Sequence, residues 1–306
     1  MARRSKAGTL LPRIRQYWQI YLLILPAIAV LLFFRYYPMY GLQIAFRDYK
    51  IVKGILGSKF VGWKWFIKLF NTPKFTQVVA NTLLINLLHL TTNLPLSIVF
   101  GLLLNECAHI GYKRVIQTVS YMPHFLSWVI VYAVFNNMLS TNGIINALNR
   151  LLGGKTVVYL TQSRYFRGIL VISALWKNTG WNTIVILAAI TAIDMQLYEA
   201  AVMDGASRLR RVWHITLPGI RSTIVVLLIL QVGAIMVDDV TQVLLFYNTA
   251  VYDVGDVLGT YIYRQGLGKM DYSLTSAAGL FQSVIGMILI LITNRIAHMM
   301  GEQGLW

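Results

Sequence analysis

Six blocks of apolar residues, separated by more polar segments, run along the 306-residue chain, at about 20–37, 78–104, 115–138, 168–193, 222–246 and 275–296. A membrane-crossing helix needs roughly 20 predominantly apolar residues. The pattern therefore predicts six transmembrane helices. The first block follows Arg3, Arg4, Lys6, Arg13 and Arg15, as the core of a secretory signal would. It leads, however, into Arg35-Tyr36-Tyr37-Pro38 rather than into small residues suited to cleavage. It reads as a retained span with an interfacial aromatic belt. Two amphipathic stretches lie between spans. Residues 60–70 mix aromatics with lysines, as an interfacial helix does, and 143–152 predicts a short surface helix.

Several spans are too polar to face lipid all round. The second carries Asn81, Asn86, His89, Thr91, Thr92, Asn93 and Ser97. The fourth carries Lys177, Asn178, Trp181 and Asn182, and the fifth Gln231, Asp238, Asp239 and Gln242. Polar groups at membrane depth are costly unless they face a bundle interior or a watery cavity. For the second span, interhelical hydrogen bonding and a substrate pathway are equal readings. The charged residues of the fourth and fifth favour the pathway. On a continuous helix, 177/181 and 178/182 are i,i+4 pairs, and Gln231, Asp238 and Gln242 share a face. Pairing of Asp238 with Lys177 is the structural alternative.

Composition agrees with the membrane reading. Charged residues make up 12% of the chain and apolar ones 57%, where a soluble domain carries about 25% charged. The formal charge of +16 sits between apolar blocks, beside lipid headgroups, and needs no nucleic acid. A single cysteine, Cys107, excludes an intrachain disulfide, and five scattered histidines form no metal-ligand pattern. Charge does not orient the chain. With the N-terminus inside, the inner segments hold 12 basic residues and the outer ones 14, with Lys177 completing the 27.

Between the fourth and fifth spans lies a compact polar segment, 194–218. Asp194 can cap a helix containing Glu199-Ala200-Ala201-Val202-Met203. Gly205 permits a turn that a Cβ would resist. Leu209, Val212, Trp213 and Leu217 form an apolar stripe on a second helix, and Pro218 opens the next span. The result is a helix–turn–helix elbow. The pattern E-A-A-x-x-D-G-A followed by I-x-L-P, carried by Glu199, Ala200, Ala201, Asp204, Gly205, Ala206, Ile215, Leu217 and Pro218, resembles the EAA loop of bacterial ABC importer permeases. Val212 departs from it, since the family often has an aromatic there. Residues 247–267 and 272–281 are similar to the polysaccharide-type (LplB-like) permeases of that family.

The resemblance implies an all-α integral membrane protein of the MetI-like type I importer fold. Both termini are then cytoplasmic: an arm at 1–17, a six-helix permease domain at 18–300 and a tail at 301–306. It implies a multi-pass protein of the bacterial cell membrane, a transporter subunit and not an enzyme. It further implies a second, related permease in a heterodimer, two cytoplasmic ATPase subunits docking on the elbow, and an extracellular solute-binding protein delivering a saccharide. No cofactor is expected in this chain, with ATP and Mg held by the ATPase partners. Gly154-Lys155-Thr156 is not a P-loop end, because the first glycine is replaced by Asn149 and no strand precedes it. For a sugar pathway the candidate contacts are Lys177, Asn178, Trp181, Asn182, Gln231, Asp238 and Gln242. Indole faces suit sugar rings, and amides both donate to and accept from hydroxyls. A membrane enzyme built on Asp238-Asp239 is the competing class, but adjacent helical residues diverge by about 100°. A passive channel or secondary transporter would need no elbow.

Overall fold

The computed structural model describes residues 16–237, 239–302 and 304–305. Four helices are long and apolar enough to cross a membrane, and up to six if each of two bent pairs counts as one span. The first is a continuous helical rod, Trp18–Phe46. Its α-helical part, α1 (Trp18–Leu31), has no buried residue and turns into π and 3-10 geometry over Leu32–Tyr36 and Tyr37–Phe46. A two-stranded antiparallel ribbon follows, β1 (Arg47–Lys50) with β2 (Ser58–Phe60), the departure from the all-helical expectation. The segment expected as one interfacial helix is therefore part strand and part helix, α2 (Lys64–Phe70). It buries Trp65, Phe66 and Leu69 and leaves Trp63, Ile67 and Phe70 exposed.

The centre of the bundle is the parallel pair α3 (Pro73–Glu106) and α7 (Ser163–Thr191). Gly101 lets α3 approach Ile186 closely, Asn182 Nδ2 donates to Asn93 Oδ1 (3.0 Å), and Thr183 Oγ1 donates to the Ser97 carbonyl (3.2 Å). α3 continues through Pro95 without a break. Between these two helices the chain forms α4 (Ile110–Tyr121), α5 (Trp128–Leu139) and α6 (Ile144–Leu151). α6 is the expected surface helix, with Ile144, Leu148 and Leu151 exposed. Asn146 pins it by exchanging hydrogen bonds with Val157.

After α7 come α8 (Met195–Met203) and α9 (Arg208–Gly219), then α10 (Arg221–Gly233), α11 (Val240–Phe246), α12 (Leu258–Tyr263) and α13 (Tyr272–Met299). α8 turns 70° away from α7, and α10 turns 58° away from α9. The bend falls at Ile220, so α10 begins at Arg221 and Pro218 ends the elbow instead of opening the span. Gly233 packs on Ile290 of α13, and Arg221 pairs with Glu302 just past its end (2.8 Å).

Two expected spans are not continuous helices. The third breaks between α4 and α5, where Met122–Phe125 forms a 3-10 turn around Pro123. The fifth breaks between α10 and α11, over 234–239. A proline lacks the N–H that a helix interior needs. At the second break, the Asp239 side chain accepts from Gln242 N and so starts a new helix where the pattern predicted an old one continuing.

The segment at 247–267 is tied to the start of α3 and α7. Asn81 Nδ2 donates to the carbonyls of Asp253 (3.0 Å) and Asp256 (3.1 Å), and Arg167 Nη2 donates to Asn81 Oδ1 (2.8 Å). The buried Asp256 carboxylate accepts two bonds from Arg264 (3.0 and 2.6 Å) and one from Thr260 Oγ1 (2.9 Å). Those bonds hold the Arg264 pKa further above its already high ordinary value. This supplies a physical reason for the sequence pattern of that stretch: it knits one end of the bundle together.

Candidate functional site

A helix broken at membrane depth leaves backbone carbonyls without partners, each of which must be satisfied by protein or water. Here long polar side chains from neighbouring helices do it. Lys177, buried on α7, donates from Nζ to the carbonyls of His124 (2.7 Å) and Leu126 (2.6 Å) and lies over the Trp128 ring. It thus staples the α4–α5 break. At the α10–α11 break, Asn86 Nδ2 donates to the Ile235 carbonyl (3.0 Å) and Gln282 Nε2 to that of Met236 (2.6 Å). Trp128 Nε1 donates to the Asp239 carboxylate, linking the two breaks.

Beside the second break is a cavity of about 310 Å³. Its polar lining comes from Asn86, His89 and Asn93 of α3, Asn178 and Asn182 of α7, and Gln231 of α10, with Ile235 and Val237 closing one side. The structure thus gathers three of the seven predicted pathway residues, Asn178, Asn182 and Gln231. Gln242 is buried away from this wall and donates to Leu170 O (2.8 Å) and Ser173 Oγ (3.0 Å). The expectation that Gln231, Asp238 and Gln242 share a helix face is overturned, because the helix breaks between the first and the last. Asp238, and any pairing with Lys177, lies outside the described residues. Trp181 stacks on the His124 ring at 4.4 Å with the planes 5° apart, leaving the indole partly exposed.

Sequence reasoning gave Asn86, His89 and Asn93 no role beyond being polar. The signal was available, since i, i+3 and i+7 put them on one face of α3.

The elbow has the expected construction. Asp194 accepts from Gln196 N (2.9 Å) and caps α8. Gly205 has φ +73°, a left-handed conformation, and Ala206 N closes back on the Ala201 carbonyl (2.8 Å). The Tyr198 hydroxyl bonds Thr216 Oγ1 (2.9 Å), tying α8 to α9. Leu209, Val212, Trp213 and Leu217 line one apolar groove against α3. Glu199, Ala200, Asp204 and Gly205 are exposed, as is Pro218, while Ala201, Ala206, Ile215 and Leu217 are half-buried. Met203, 87% exposed, stands beside them.

Broken spans around a polar cavity, with an exposed elbow between two of them, define a transport permease whose motor is a separate subunit. The chain belongs to the family described as binding-protein-dependent transport system inner membrane component, whose profile matches residues 93–301. It is 43% identical over 305 residues to the polygalacturonan/rhamnogalacturonan transport system permease protein YteP of Bacillus subtilis, covering 99% of this chain and 95% of that one. Protein LplB of the same organism is 43% identical over 293 residues, covering 95% and 92%. Among solved structures, a chain of a bacterial alginate ABC transporter, in complex with its alginate pentasaccharide-bound periplasmic protein, superposes with a TM-score of 0.89. The identity is 37%, with 97% of this chain and 99% of that one covered. The chain is a permease subunit of an ABC importer, not an enzyme; ATP hydrolysis belongs to another subunit.

Proposed function

We propose that this permease forms half of a pathway through the bacterial cytoplasmic membrane for oligosaccharides, acidic fragments among them, handed over by an extracellular binding protein. A second, related permease supplies the other half. ATPase subunits, which hold ATP and Mg, dock on residues 194–218, with Glu199 and Asp204 making polar contacts. Both termini are then cytoplasmic, and each bent helix pair counts as one of six spans.

The observation that carries this reading is the polar cavity. Its described lining offers amide donors and acceptors and one imidazole, and no carboxylate. Such a wall hydrogen-bonds hydroxyls and does not repel a sugar acid. Two similarities agree: one relative is named for polygalacturonan and rhamnogalacturonan, and a matched structure is of a transporter importing the acidic polysaccharide alginate. Asn178, Asn182 and Gln231 are the proposed contacts, with the open face of Trp181 beside them. In the mechanism, closure of the ATPase pair moves both elbows, and α7 and α10 swing as rigid bodies about the bends at either side.

The test is saccharide-stimulated ATPase activity of the complex purified through a tag on this chain. Gly205→Asp, which forces a side chain into φ +73°, and Glu199→Lys should lower stimulation by about tenfold, as loss of roughly 1.4 kcal/mol of coupling would. Unchanged assembly and unchanged stimulation in both variants would remove the elbow from the coupling route.

A further inference from the structure

His89 occupies a position in the cavity wall that the bonds around it define closely. The ring hydrogen-bonds the backbone of Leu170 on α7, while its Nε2 atom is buried and has no partner in the protein. The bond to Leu170 is therefore made by Nδ1–H. A hydrogen on Nδ1 leaves the neutral ring with a lone pair on Nε2. The Leu170 carbonyl also receives Gln242 Nε2 at 2.8 Å, so the acceptor that fixes this tautomer is itself held in place.

The surrounding amides are in a different situation. Asn86 Nδ2 is committed to Ile235, Asn93 Oδ1 receives both Asn182 Nδ2 and Ser97 Oγ, and Asn178 Oδ1 faces His124 Nδ1 at 3.4 Å. These bonds leave NH₂ groups of Asn93 and Asn178 for a cargo's acceptors. What the wall needs for a hydroxyl hydrogen is a bare acceptor at the same depth, and Nε2 of His89 is one. A buried acceptor without a donor costs the fold about 1–3 kcal/mol. That cost is relieved when a hydroxyl arrives.

We propose that His89 is a specificity-determining contact of the pathway, its Nε2 accepting a hydrogen bond from a saccharide ring hydroxyl while the neighbouring amides donate to ring or carboxylate oxygens. This deepens the saccharide reading above and rests on it. The arrangement also assigns an orientation: the hydroxyl edge of the sugar faces α3, and an acidic edge turns away from the lone pair.

Two conservative variants separate this role from a purely structural one. Glutamine can place an oxygen near the Nε2 position but does not keep the Nδ1 bond; asparagine keeps a donor near Nδ1 and has nothing at Nε2. The experiment uses the tagged complex in proteoliposomes, with alginate pentasaccharide and oligogalacturonate as probes. It measures saccharide-stimulated ATPase activity and uptake against probe concentration. We expect His89→Asn and His89→Phe to raise the half-saturating concentration about tenfold with the maximal rate kept, as loss of one hydrogen bond to cargo implies. His89→Gln should stay within about threefold of wild type by the same reasoning. The opposite order, with His89→Asn normal and His89→Gln impaired, would show that only the Leu170 bond matters and would overturn the proposal. Equal behaviour of all four proteins would overturn it as well. If the wild-type complex responds to neither probe, the saccharide reading itself fails, a result visible before any variant is compared. Should His89→Phe fail to assemble, the glutamine and asparagine pair still decides.

Discussion

Replacing Asp256 with alanine removes the acceptor on which the 247–267 segment is fastened. The carboxylate is 1% exposed and takes two bonds from Arg264 and one from Thr260. Removing one partner of a buried pair costs about 3–5 kcal/mol, because the remaining charge is left uncompensated. The Arg264 side chain keeps 24% of its surface exposed. Water reaching the guanidinium places the loss at the lower end, about 3 kcal/mol. At about 2 °C per kcal/mol for a chain above 200 residues, the unfolding midpoint should drop by on the order of 6 °C. The assay is thermal unfolding of the purified complex in detergent, followed by tryptophan fluorescence, for Asp256→Ala, Arg264→Met and the double variant. With both charges gone no ion is stranded, so the double variant should be less destabilised than the two singles added together, by about 2 kcal/mol. A midpoint for Asp256→Ala within about 1 °C of wild type, or strict additivity, would refute the reasoning, since independent sites add to within about 0.5 kcal/mol.

Lys177→Met keeps the apolar stem of the side chain but strips two carbonyls of their donor, and should cost about 2–4 kcal/mol. The same thermal assay checks this. Normal stability with lowered uptake would instead make Lys177 a contact of the cargo. Gly180→Ala on α7 puts a methyl group against the Ser120 carbonyl at the end of α4. Backbone cannot step aside as a side chain can, so the variant should lose about 1–3 kcal/mol. Gly168→Ala, on the same helix with open space around it, should leave the midpoint unchanged or slightly raised in a parallel measurement.

The spans were legible because hydropathy reports length and apolarity, and those two properties alone decide whether a segment can cross a bilayer. The elbow was legible because its geometry is local. Asp194, Gly205 and the stripe from Leu209 to Leu217 each act within a few residues of sequence. The breaks were harder to see. Pro123 was in plain view, yet Pro95 and Pro26 lie inside helices that continue. A proline breaks the helix at 123 because Lys177, more than 50 residues away, receives the freed carbonyls. At 234–239 the signal was Asp239, an N-cap residue in the middle of an apolar block. Reading it as a pathway charge on an unbroken helix put Gln231 and Gln242 on one face. They in fact lie on separate helices, one at the cavity and one buried against α7. The cavity wall was only half recovered, because which amides face one another across α3, α7 and α10 depends on packing at long range.

The side chains that staple the breaks have a consequence for how such a protein can diverge. Lys177, Asn86 and Gln282 each spend a donor on backbone carbonyls, whatever the cargo is. Gln231, with Asn178 and Asn182, faces the cavity and carries little of that duty. The pathway thus divides into a frame that must be inherited intact and a lining that is free to vary. A lineage of permeases built this way can exchange one cargo for another by point changes at a few amides, without passing through an unfolded intermediate form.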